Sequence, residues 1–132
     1  GNAVSPVVLL PTVSISDFAS STTAGATNFE VGVSGCAVET TDREISTVFV
    51  GNQVTAAGNL GNTGSAGDVE IQILDTAGTV IDFTSYFTGD ADLTLTAGET
   101  SASANYTAQY YSAGTPTAGD VTASLQYAVT YL

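Results

Sequence analysis

The side chains of this chain that could do chemistry are carboxylates, hydroxyls and one thiol. Thirteen acids face a single base, Arg43, and there is no histidine. Asp90-Ala-Asp92 has the start of a calcium loop, but the further oxygen ligands and a closing bidentate glutamate do not follow. The stretch reads as a polar turn. Carboxylate pairs could serve glycoside hydrolysis, yet nothing singles out one pair and there is no tryptophan to line a sugar groove. Serine and threonine are plentiful, but a hydroxyl nucleophile needs a base and neither histidine nor lysine is present. Asn105-Tyr106-Thr107 fits the glycosylation sequon, inside a predicted strand, and such matches arise by chance. Cys36 has three readings: a buried thiol acting as a small hydrophobe, a catalytic thiol lacking a histidine to activate it, or half of a disulfide whose mate is not in this chain. The residues argue against an enzyme and offer no cofactor site.

The elements that would position these groups are strands. Gly119 to Leu132 alternates strictly, with Val121, Ala123, Leu125, Tyr127, Val129 and Tyr131 on one face and mostly small polar residues between them. Successive strand side chains point to opposite faces, so this is a strand with one buried and one wet row. Such a strand must pair within its own sheet or offer an edge to a partner. Further strands are predicted over 28–35 (Phe29, Val31 and Val33 inward), 45–50, 68–74 (Val69, Ile71 and Ile73 inward), 79–83, at Leu93 and Leu95, and over 101–111 (Ala104, Tyr106, Ala108 and Tyr110 inward). Asp75-Thr-Ala-Gly78 makes a hairpin turn between two of them. Val4 to Leu10, broken by Pro6, suits an edge strand or strand entry. Residues 14–28 read as a connecting loop, Glu39 to Glu44 as a solvated turn, and 51–67 as a flexible loop whose spaced glycines are neither collagen nor a phosphate cradle. Short strands, turn chemistry between them and no long helical periodicity define an all-β sandwich.

Length and charge bound the partners. One domain is expected from 132 residues, and 43% apolar content permits a packed core. A net charge of −12 gains nothing from nucleic acid or an anionic membrane surface, which excludes both as partners. No stretch approaches the roughly twenty apolar residues of a membrane helix.

Taken with these elements, the chain resembles the major pilin subunits of chaperone–usher (type 1-like) fimbriae. That family's C-terminal motif has a glycine fourteenth from the end, alternating hydrophobics and a penultimate tyrosine; here these are Gly119, the row Val121 to Val129, and Tyr131. Val69-Glu-Ile-Gln-Ile-Leu-Asp-Thr-Ala-Gly78 is similar to its VGIQLLDxxG hairpin. Ala104-Asn-Tyr-Thr-Ala-Gln-Tyr-Tyr111 is similar to its FxAxY strand, and Phe29-Glu-Val-Gly-Val-Ser-Gly-Cys36 to its FxIxLxGC strand. The four pieces occur in collinear order over nearly the whole chain.

The resemblance implies an immunoglobulin-like sandwich lacking its seventh strand, with a hydrophobic groove beside the terminal strand. It implies a structural subunit of an extracellular, cell-surface fimbria that forms a homopolymer with neighbouring pilin subunits. A periplasmic chaperone would lend a strand to the groove, and at the outer-membrane usher the N-terminal extension of the next subunit would replace it. Gly119, Val121, Ala123, Leu125, Tyr127 and Val129 would form this site, while Tyr131 and the carboxylate of Leu132 would anchor the chaperone. Cys36 would be half of a disulfide with a cysteine of the first strand. Gly1 would then begin downstream of that cysteine, with the donor extension and the first strand missing from the single pilin domain 1–132. The rival reading is a single-domain adhesive or adaptor pilin that binds a host glycan receptor.

Overall fold

Two sheets packed face to face bury the alternating rows in the computed structural model, which describes residues 2–3, 9–38, 40–85, 87–89 and 93–131. The strands, in chain order, are β1 (Asn2–Ala3), β2 (Thr23–Ser34), β3 (Arg43–Gly51), β4 (Leu60–Gly61), β5 (Glu70–Leu74), β6 (Phe87–Thr88), β7 (Leu93–Leu95), β8 (Ala102–Tyr111) and β9 (Leu125–Tyr131). A 3₁₀ turn, Ile15–Phe18, precedes β2. The first sheet has the order β1-β2-β8-β5-β4. In the second, β3 is central: β9 runs along one edge while β6 and β7 pair with different stretches of β3. Every pairing among the described residues is antiparallel, as in a sandwich built from hairpins and long returns.

The inward rows are those of the period-two pattern. Val31, Val33, Ile71, Ile73, Ala104, Tyr106 and Ala108 from the first sheet meet Ile45, Phe49, Leu93 and Leu95 from the second, and all are buried. Phe49 is the aromatic hub. Its ring lies 5.0 Å from that of Tyr106, 5.6 Å from Phe87 and 6.3 Å from Tyr127, the last edge-on at 88°. Offset and edge-to-face pairs of this kind add to what burial alone contributes. Asp75 builds the β5 turn, its Oδ1 accepting from the N–H groups of Ala77 and Thr79, with Gly78 at φ +85°.

Five expectations from the sequence need correction. The terminal strand does not run from Gly119: hydrogen-bonded pairing with β3 begins at Leu125, and residues 119–124 leave β3 for the 62–66 segment. The region 14–28 is not one loop, because it holds the 3₁₀ turn and the first part of β2, which starts at Thr23 and is bulged between Ala24 and Thr27. The charged 39–44 patch gives way to strand at Arg43. The 51–67 stretch is not all loop, because it contains β4 and a Val54–Leu60 bridge. The returning strand after the Asp75 turn is reduced to a bridge, Leu74 to Val80, though Ile81 and Phe83 are buried as expected. The expectations for Val4 to Val8 and for Asp90-Ala-Asp92 lie outside the described residues.

Candidate functional site

β9 is hydrogen-bonded to β3 from Leu125↔Gly51 to Tyr131↔Ile45. Among the described residues no strand pairs with its other edge. Beside that edge runs a groove of about 870 Å³. Its floor is the inner face of the first sheet, from Phe29 and Val31 on β2 through Ala108 and Tyr110 on β8 to Ile71 and Ile73 on β5. Val121, Ala123, Leu125 and Tyr127 form the wall on the β9 side, and Leu9 and Leu10 also line the groove. Half-buried side chains in this row touch the core on one flank and open space on the other.

The first half of the predicted row therefore reaches the groove by a different route from the second. Leu125 and Tyr127 are set by the β3 ladder. Val121 and Ala123 are set by a strap: Thr63 N donates to Thr122 O at 2.8 Å, Ala66 N to Asp120 O at 3.0 Å and Asn52 N to Ser124 O at 3.2 Å. Asn62 Oδ1 accepts from Thr122 N at 2.8 Å, and Ser65 Oγ from Asp120 N at 2.9 Å. Two glycines permit the strap to lie so close. A Cβ on Gly119 would sit 2.6 Å from Ala66 N and from Ser65 Oγ, and one on Gly64 would collide with the Asp120 carbonyl. The segment stays extended across this change of partner, which is why alternation continues through it.

Of the remaining site residues, Cys36 is buried beyond the end of β2, its N–H donating to Thr100 O at 2.9 Å. The sequence holds one cysteine, so the disulfide implied by resemblance is not made within these 132 residues. The side chains of Val129 and Tyr131, and Leu132 as a whole, lie outside the described residues, though the backbone of Val129 and Tyr131 belongs to β9. Leu9 and Leu10 were not among the site residues read from the sequence. Their signal was the apolar run after Pro6, which shows no alternation to mark a lining face.

The site offers no acid–base pair and no cluster for a metal among the described residues. What it presents is apolar surface beside an edge of β9 with which no described strand pairs. The fold is an incomplete immunoglobulin-like β-sandwich, open along β9. The chain belongs to the fimbrial protein family, whose model matches residues 2–132. It is 35% identical over 132 residues to an F17 fimbrial protein of Escherichia coli, a match covering 94% of this chain and 73% of the relative. Among solved structures it resembles the Burkholderia pseudomallei antigen and type I fimbria protein, at 30% identity with a TM-score of 0.66 and coverage of 98% and 84%. The P pilus rod subunit PapA shares the fold at a TM-score of 0.71 and 18% identity, with 97% and 93% covered. The family and fold implied by the sequence motifs are thus the ones found. Members are structural proteins of extracellular, cell-surface pili and not enzymes. No helix among the described residues is long and apolar enough to cross a membrane.

Proposed function

We propose that this chain is a structural subunit of an adhesive surface fimbria that polymerises by donor-strand exchange, after a periplasmic chaperone has delivered it to an outer-membrane usher. The groove carries this reading. A strand laid along the edge of β9 with which no described strand pairs would add main-chain hydrogen bonds there, and alternate apolar side chains would fill the space over Ala108, Ile71 and Ile73. Each such side chain contributes about 1.5–3 kcal/mol when fully buried. An open groove of this kind is a standing risk of edge-to-edge aggregation, which gives a reason for a chaperone to cover it until a neighbour does.

In this reading Val121, Ala123, Leu125 and Tyr127 are the acceptor row, and Tyr131 with Leu132 anchors the chaperone. Neighbouring copies are the permanent partners. The test is uptake of a synthetic peptide carrying the N-terminal extension of a fimbrial subunit from the same strain. The purified chain should take it up in one-to-one stoichiometry and gain thermal stability. A scrambled peptide of equal hydrophobicity that binds as well would overturn the assignment.

A further inference from the structure

The groove has a second wall, and Tyr110 holds it in place. Leu9 and Leu10 line the same cavity as the acceptor row, but they belong to no described strand. Leu9 is 84% exposed, the largest exposure of the exposed large apolar residues. Directly after them, Pro11 O accepts a hydrogen bond from the Tyr110 hydroxyl at 3.0 Å. Tyr110 is itself a groove residue on β8.

Two local features aim that hydroxyl. The bulge between Ala24 and Thr27 lies where β2 faces Tyr110, and bulges re-aim side chains at strand ends. Gly25, inside the bulge with φ +67°, leaves room for the ring: a Cβ there would lie 2.9 Å from Tyr110 Cδ2 and 3.1 Å from Val13 Cγ1. The ring thus sits over a residue that can carry no side chain, with the segment following Pro11 alongside it. Burial pushes the Tyr110 hydroxyl up from its ordinary value of 10.0, so it keeps the proton it donates.

We propose that Tyr110 is a positioning residue for strand uptake, latching the Leu9–Pro11 segment to the groove so that Leu9 becomes part of the wall the incoming strand covers. This rests on the donor-strand reading of the groove. It adds a specificity contact from a part of the chain remote from the terminal row. An incoming strand with a large apolar side chain opposite Leu9 would gain from the contact, whereas one with a charge there would be rejected.

The experiment compares the purified 132-residue chain with Tyr110→Phe and Leu9→Ser, by backbone 15N relaxation and by affinity for the N-terminal extension peptide of the neighbouring subunit. Tyr110→Phe keeps the ring and deletes only the hydroxyl. The order parameters of Leu10, Thr12 and Val13 should then fall from about 0.85 toward about 0.6, from rigid to flexible backbone. Those of Val31 and Ala104 should not change. Leu9→Ser, at an exposed position, should leave the order parameters of the free chain unchanged and weaken peptide binding about fivefold or more. Wild-type order parameters at residues 10–13 in Tyr110→Phe overturn the latch, and wild-type affinity in Leu9→Ser overturns the wall. A wild-type chain that takes up no peptide removes the groove reading and the role of Leu9 with it, while the relaxation comparison still decides the latch.

Discussion

The hydroxyls of Thr47 and Tyr106 meet 2.7 Å apart in the middle of the sandwich, one from each sheet. Thr47 is 0% and Tyr106 1% exposed, so this bond forms where water does not compete. It fixes how β3 and β8 slide relative to one another, and with them the two sides of the groove. Thr47→Val keeps the shape and removes the bond. We expect a loss of about 1–2 kcal/mol in urea unfolding, and a coupling of about 1 kcal/mol in a double-mutant cycle with Tyr106→Phe. Additive single effects would show that the bond contributes nothing of its own.

Leu125 tests the acceptor row. It is half-buried in the free chain and would be enclosed by an added strand. Leu125→Ala should therefore cost more in the strand-filled state than in the open one, by about 1–2 kcal/mol. Peptide affinity should fall by the same free energy, about five- to thirtyfold. Equal losses in both states would place Leu125 in the ordinary core.

Gly64 tests the strap. Any Cβ there meets the Asp120 carbonyl, which is backbone and cannot swing aside. Gly64→Ala should detach residues 119–124 from the 62–66 segment and destabilise the chain by about 1–3 kcal/mol. Faster amide exchange at Thr63 and Ala66, with β9 beyond Leu125 still protected, is the expected pattern. Uniform loss of protection would mean that strap and ladder open together.

Asp82 should report on pH. Its Oδ1 accepts from Thr84 N at 2.9 Å and from the Thr84 hydroxyl at 2.7 Å. The backbone bond first, and the hydroxyl second, hold the carboxyl below its ordinary value of 3.8. A carboxyl depressed in the folded state stabilises it above 3.8 and loses that contribution as pH falls through the folded value. An NMR titration of the Thr84 amide should show a midpoint under 3.8, and a midpoint at or above it would rule the arrangement out.

Arg43 is the chain's single site for trypsin-like cleavage. It opens β3 and is paired there with Leu95 of β7. Cleavage needs an extended backbone free of its ladder, so digestion of the folded chain should follow global unfolding rather than local opening. A cleavage rate independent of added urea at low concentration would contradict this.

How much of this was legible in the sequence depends on what fixes each element. β8 was readable because one face is buried and the other wetter; β5 was readable because Ile71 and Ile73 alternate with polar residues, although Gln72 on the opposite face is itself buried. Their inward rows are the observed ones. The groove side chains from Val121 to Tyr127 were readable for the same reason. What alternation cannot report is the hydrogen-bonding partner: an extended segment alternates whether it lies on β3 or on the 62–66 segment, so the switch at Leu125 left no trace. The start of β2 was hidden because Thr23-Ala-Gly-Ala-Thr27 is poor in strand formers and is held by pairing with Tyr110 and Tyr111. Glycines 58, 61 and 64 suggested mobility, yet each is where another chain segment comes too close for a side chain. Leu9 and Leu10 needed the Tyr110 bond, a contact across the fold that no local pattern announces.

The pairing of β3 with β9 also sets a clock. It joins residue 51 to residue 125 and residue 45 to residue 131, so the second sheet cannot acquire that edge until distant parts of the chain have met. Pairings between such distant segments place folding on the slow side, in milliseconds to seconds. Throughout that interval β3 offers an unprotected edge to every other copy nearby. The hazard is thus greatest in the newly translocated chain, and a helper that gathers β3 and β9 early would shorten it.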